Sequence, residues 1–329
     1  MLRFAVVAGA AFLGFGVLSC QLEASPTAQP LVCGGEAGSR LQDALIWSLA
    51  TGLLLTAALI VTFSEIEPKD VPYLPRAGCE WYEGRLNGCA GLTAVPHQPF
   101  NTYSTVTFAI AGTFSAFHFA GNSSIGLVFM LSMIVLCIGS ALFHGVPTRW
   151  SGHVDVIATY FVYSALLVLA LARVLPPAGI LAGLRPYTAE LMLLVGMLGS
   201  VVLRMLFRQS AQAVMVKLAV LLALTYGCAV YLLMRPDPTP PGPGWTALLG
   251  SLVVFSVAFL LHRIDFHRSV RAAEHNRAVD GAPARPRPSA RSTPLVWKTL
   301  HAWWHILAAG GTAALFYALL YPDIASGRC

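Results

Sequence analysis

The chain is short of charge. Only 11% of its 329 residues are Asp, Glu, Lys or Arg, less than half of the roughly 25% typical of soluble domains, and this excludes a large soluble core. Its seven cysteines include no CxxC pair, which excludes a zinc ribbon. The cations are not interleaved with aromatic residues, so the formal net charge of +6 points to no nucleic-acid partner. Internal repeats and interrupted apolar segments, the marks of many secondary transporters, are also missing. What is present is apolar: 56% of the residues are hydrophobic and the mean hydropathy is +0.68. That is the balance of a membrane protein.

Residues 1–20 carry one cation, Arg3, followed by an apolar run, and read as a signal peptide or an N-terminal anchor. Within it Val17-Leu18-Ser19-Cys20 resembles a bacterial lipoprotein cleavage box, which would place lipid on Cys20; an uncleaved anchor is the alternative. Residues 21–43, rich in Pro, Gly and Ser, form an exposed linker. Eight apolar stretches follow, at about 44–63, 102–120, 125–144, 153–173, 187–207, 213–233, 245–262 and 301–321. Each is near the roughly 20 residues that cross a bilayer as a helix. The expected fold is therefore all-α and polytopic. One extra helix at 44–63 and a polar insert at 64–101 precede a seven-helix core at 102–329.

Residues 263–300 form the most basic segment, and its APARPRPSARSTP tract predicts a disordered loop. Placing that loop in the cytoplasm also brings Lys69, Arg76, Arg85, Arg149, Arg204 and Arg208 inside and leaves Arg173, Arg185 and Arg235 outside, as the positive-inside rule requires. The expected location is a bacterial inner membrane. Cys137 and Cys228 fall in apolar spans and read as packing residues, whereas Cys79 and Cys89 share a loop on the reducing side and read as free thiols.

Polar residues inside such spans are costly and mark function. His301 and His305 open the last span in HAWWHIL, and Gly139-Ser140-Ala141-Leu142-Phe143-His144 closes an earlier one, with Asp155 soon after. Residues four apart on a helix share a face, so His301 and His305 can aim at one ion. The predicted topology brings His144, Ser140 and Asp155 to the same membrane depth. Three imidazoles on a tetrahedral Zn²⁺ leave a position for water, whose pKa falls toward about 7. Asp155 is then the candidate proton carrier and Ser140 the candidate donor to an oxyanion.

Each residue also has a plainer reading. The HxxxH pair could cap a helix at the interface, Asp155 could cap the helix it begins, and Ser140 could bond its own backbone. The remaining histidines look less chemical. His153 reads as a loop residue, His97 belongs to the polar insert, and His262, His267 and His275 read as solvated beside the basic loop. His118 reads as structural. Trp303 and Trp304 read as interfacial anchors or as packing beside the ligands.

GSALFH, with Asp155 eleven residues after His144, and HAWWHIL in the final span resemble the alkaline ceramidases, members of a superfamily of membrane hydrolases that includes the adiponectin receptors. The resemblance covers residues 79–321 and includes CEWYEGRLNG followed by HQPFNTYST. It implies zinc held by His144, His301 and His305, assistance from Ser140 and Asp155, and cleavage of the amide of ceramide to a sphingoid base and a fatty acid. It further implies a regulatory calcium site to which Glu80, Trp81 and Glu83 correspond. Arg85 stands where that family has a neutral oxygen ligand and Gln98 where it has a glutamate. Calcium seeks six to eight oxygens, so both departures weigh against calcium here. A lipid N-acylated on another amine is an alternative substrate. A receptor-like or scaffold protein with structural zinc is the alternative function.

Overall fold

A computed structural model describes residues 37–67, 95–120, 123–175, 184, 186–205, 211–235, 242–279 and 299–325. Among them every regular element is helical: α1 (Ala37–Ser64), α2 (Pro99–Ser104), α3 (Val106–His118), α4 (Ser124–Gly145), α5 (Arg149–Val174), α6 (Thr188–Met205), α7 (Ala211–Met234), α8 (Gly242–Val279) and α9 (Leu300–Ala325). Seven of these, α1 and α4 to α9, are long and apolar enough to cross a membrane. The chain is a multi-pass membrane protein. The leader at 1–20 and the Cys79–Cys89 loop lie outside the described residues.

Helix α1 begins at Ala37, so the end of the segment read as an exposed linker at 21–43 is helical, and two further boundaries shift for physical reasons. The span read at 102–120 is not one helix: it is the short α2 and the 13-residue α3, joined at Thr105. The Thr105 hydroxyl bonds back to the Thr102 carbonyl at 2.7 Å, a local bond that competes with a continuous helix. At the other end, α8 does not stop at 262. It runs 38 residues to Val279, about 57 Å at 1.5 Å per residue, so the first half of the segment read as a basic loop is helical. Residues 263–279 contain no proline and are rich in Arg and Ala, which favours continuation; the Pro/Arg tract itself lies outside the described residues.

The helices pack as a ring around a centre. Neighbouring contacts run from α3 to α4, α4 to α5, α5 to α7, α7 to α9 and back from α9 to α3, while α1 rests on α3, α6 on α5 and α8 on α9. Helix α9 is the hub. Phe316 stacks on Phe129 of α4 with ring centroids 4.0 Å apart, Thr312 pairs with the Tyr163 hydroxyl of α5 at 3.2 Å, and Ser251 of α8 donates to the Gly311 carbonyl at 2.7 Å. Gly311 matters to that last approach, because a Cβ there would sit 3.0 Å from the Phe255 ring. Such small-residue contacts and interhelical hydrogen bonds hold bundles together where lipid supplies no hydrophobic drive. At the end of the bundle far from the histidines, Arg173 and Asp323 form an ion pair at 2.6 Å.

Candidate metal centre

Three backbone devices bring the site together. The first is the turn from α4 to α5. Thr148 caps α5 in a capping box with Ser151, and the Ser151 hydroxyl also donates to the Val146 carbonyl at 2.7 Å. The turn therefore fixes Asp155 relative to His144. It also removes one of the plainer readings: the cap at this helix end is Thr148, and Asp155 sits more than a turn inside. The second device is Gly139, where a Cβ would lie 3.2–3.3 Å from Ala158, the Val154 side chain and the Val154 carbonyl. Its absence lets α4 and α5 approach closely, and the Ser140 hydroxyl donates to the Asp155 carboxylate. The third is Gly145, where a Cβ would overlap the Phe63 ring of α1; α1 thus abuts the residue next to His144.

His144, His301 and His305 are all buried, and their ligand nitrogens lie within 4.8 Å of one another. The ring centroids are 4.9 Å apart for His144–His301, 5.1 Å for His144–His305 and 4.7 Å for His301–His305. The outer nitrogens of His144 and His305 are tied down. His144 Nδ1 donates to Gln98 Oε1 at 2.7 Å, and the same oxygen accepts from Asn101 Nδ2 at 2.8 Å. Ser104 gives its hydroxyl proton to the Asn101 carbonyl at 2.9 Å, so its Oγ accepts from His305 Nδ1 at 2.8 Å. Both imidazoles therefore keep the lone pair on Nε2, the arrangement that outer partners impose on metal-binding histidines. The backbone N–H groups of His97 and Gln98 complete the clasp by donating to Gly145 and His144 carbonyls at 2.9 and 3.0 Å.

This donor set fits a metal ion. Tetrahedral zinc with Zn–N near 2.1 Å needs nitrogens about 3.4 Å apart, which small χ rotations of the three rings would reach. Three imidazoles, two of them with oriented outer nitrogens, suit Zn²⁺ and, by softness alone, other first-row ions as well. A cavity of about 650 Å³ opens onto the cluster, and its walls include all three histidines, Ser140 and Asp155.

Several side chains were not foreseen in these positions. Gln98, read as a lost calcium ligand, is buried and bonded to His144. Ser104 was not singled out at all. His262, read as solvated, is instead buried, with its ring 5.8 Å from His301 and 5.2 Å from Trp304. The signals were faint but present: Gln98 and Ser104 fall in a polar run at the start of the stretch read at 102–120, and His262 directly follows Leu260-Leu261. His153 lies on α5 rather than in a loop, exposed at the cavity wall. His97 is buried and His118 packs between Phe114 and Phe119. Trp303 is 49% exposed, whereas Trp304 meets His262 and Phe259 edge to face. Cys137 is a buried free thiol. Glu80, Trp81, Glu83 and Arg85, the calcium positions, lie outside the described residues. No protein-family model matches the chain, and no curated protein is significantly similar to it.

Proposed function

We propose that this protein is a zinc-dependent membrane hydrolase that cleaves the amide of ceramide or a related N-acyl lipid, releasing a fatty acid and an amine lipid. The observation that carries the reading is the sharing of one cavity by three converging imidazoles, a carboxylate and a hydroxyl. His144, His301 and His305 would hold the ion, which when bound supplies Lewis acidity and a water acidic enough to react near neutral pH. Asp155 accepts a proton from the attacking water and later delivers it to the leaving amine. Ser140, now donating to Asp155, turns its hydroxyl toward the amide oxygen as negative charge builds there. The apolar cavity wall, with Phe108, Leu136 and Val156 among its residues, accommodates acyl chain. In this reading the site faces the cytoplasm of a bacterium from its inner membrane, with the basic segment after His262 on the same side.

One observation favours the receptor-like alternative with a structural metal. The His262 ring near His301 is a fourth imidazole, and structural zinc sites are closed by four protein ligands. His262 is not among the residues whose nitrogens converge within 4.8 Å, and Asp155 has no role in a closed site. Purified protein incubated with N-acyl sphingosine and other N-acyl lipids, with and without chelator, decides between them. The hydrolase reading expects fatty acid release that chelation abolishes and zinc restores. Protein that holds one zinc per chain and releases nothing from any lipid would establish the structural role instead.

A further inference from the structure

The cavity wall holds a feature the proposed chemistry does not use. Arg204, in the last turn of α6, lines the same cavity as the histidines. Its Nε and Nη1 are buried, and neither has a hydrogen-bond partner among the described residues. An arginine that merely reached from a span toward headgroups or water would expose those atoms; these are enclosed, on a residue that lines the cavity. The nearby Lys217 does not answer the need, since it is a cation and its Nζ is engaged with the Leu203 carbonyl at 2.9 Å. Arg204 interacts electrostatically with His153 as well as with Lys217, and Arg149 and His153 line the cavity alongside it. Among the lining residues Asp155 is the one carboxylate, and it is bonded to Ser140. The cavity therefore has a cationic wall in need of an acceptor and an apolar wall suited to a chain.

Resting on the amidase reading, we infer that the preferred substrate is an N-acyl lipid whose amine portion carries an anion, a carboxylate or a phosphate, seated on Arg204 while its amide faces the metal ligands. A guanidinium is a strong charge-assisted hydrogen-bond donor to either anion. Neutral ceramide offers those buried N–H groups only hydroxyl and carbonyl acceptors, which make weaker hydrogen bonds to a guanidinium than an anion does.

The test uses four probes in neutral detergent on the full-length protein: N-oleoylglycine, N-oleoyl-O-phosphoethanolamine, neutral N-oleoylethanolamine, and dioleoylphosphatidylglycerol as competitor. Direct binding is measured by tracer displacement and turnover by oleate release. We expect one or both anionic N-acyl lipids to bind at least about tenfold more tightly than the neutral one, and the two anionic arms tell carboxylate from phosphate. In Arg204→Gln that preference falls to about one, through KM rather than kcat, while bound zinc is retained; Arg204→Lys keeps part of it. Equal binding of charged and neutral probes to the wild-type protein overturns the inference without any variant, and so decides the matter even if Arg204→Gln does not fold. Displacement by phosphatidylglycerol that requires Arg204 also overturns it, making the residue a seat for bulk phospholipid. Arg204-dependent binding of N-oleoylglycine with no oleate release from any probe leaves the anion seat standing and overturns the amidase reading instead.

Discussion

Helices α4, α5 and α9 differ from α1, α6, α7 and α8 in how they meet their surroundings. The most apolar stretches of the first three are 56%, 56% and 61% buried within the protein, whereas those of the other four are each 28% buried. The outer helices present large side chains outward, with Leu53 72%, Leu194 60% and Val253 61% exposed. Hydropathy does not separate the two groups, since both are apolar enough to span. What separates them is where the site cluster sits: His144, Ser140, Asp155, Tyr163, His301, His305 and Thr312 all lie on the inner three, while α8 adds buried Ser251, His262 and Asp265. In a bilayer the outward leucines cost nothing, because lipid is as apolar as they are. The inner polar groups are tolerated only where protein supplies their partners. The inner helices hold the histidine cluster and the outer ones most of the outward apolar surface, with Arg204 of α6 and His262 of α8 reaching the cavity wall.

The sharpest way to break this comparison is to remove an inner ligand. His305→Ala should lose essentially all bound zinc and all oleate release, read by elemental analysis of purified protein and by lipid turnover; retention of stoichiometric metal would show that the ion, if any, sits elsewhere. Next in size, Asp155→Asn should keep zinc yet slow fatty acid release by about 10²–10⁴-fold, the usual contribution of a positioned general base. Near-normal turnover in that variant would remove Asp155 from the proposed proton transfers.

The third effect concerns the short α2, the part of the site least legible in the sequence. Gln98→Leu removes the acceptor of His144 Nδ1, and loss of such an outer partner weakens metal binding by about 10–100-fold. A zinc competition titration reads this directly, and unchanged affinity would show that packing alone orients His144. The three converging histidines were legible because HxxxH and GSALFH place rare polar residues at helical spacing inside apolar runs, where lipid makes every polar atom informative. Gln98 and Ser104 were not, because one lies just before the stretch read at 102–120 and the other in its first turn, where polar residues are ordinary. His262 was misread for a related reason: α8 continues past the apolar run, so a residue that looks like the edge of a loop is mid-helix and packs on Trp304. The fold class followed from composition, and the break at Thr105 did not, since it arises from a hydroxyl bonding its own backbone rather than from hydropathy.

A smaller effect tests whether an outer helix reaches the site. Phe63 of α1 occupies the space beside Gly145, so Gly145→Ala forces the ring or α4 to shift. Overpacking of this kind costs about 1–3 kcal/mol, and the residue next in sequence is His144. The expected result is a lower thermal midpoint and weaker zinc binding together, with both recovered by Phe63→Leu in the same protein. Loss of stability with zinc affinity intact would confine α1 to the boundary.

The smallest effect comes from the boundary itself. Leu53→Ala and Leu194→Ala trim side chains that touch little protein, so each should alter stability by no more than about 0.5 kcal/mol and leave zinc content unchanged. Leu53→Arg is the informative partner, because Leu53 lies near the middle of its 24-residue span. A cation at mid-bilayer costs about 2.5–3.5 kcal/mol on insertion scales, yet the same change on a water-facing helix would be nearly silent. Impaired membrane insertion of Leu53→Arg beside normal insertion of Leu53→Ala therefore establishes that this face meets lipid. Equal insertion of both would put α1 against water or another protein, and the division between inner chemistry and outer boundary would then have to be redrawn around α4, α5 and α9 alone.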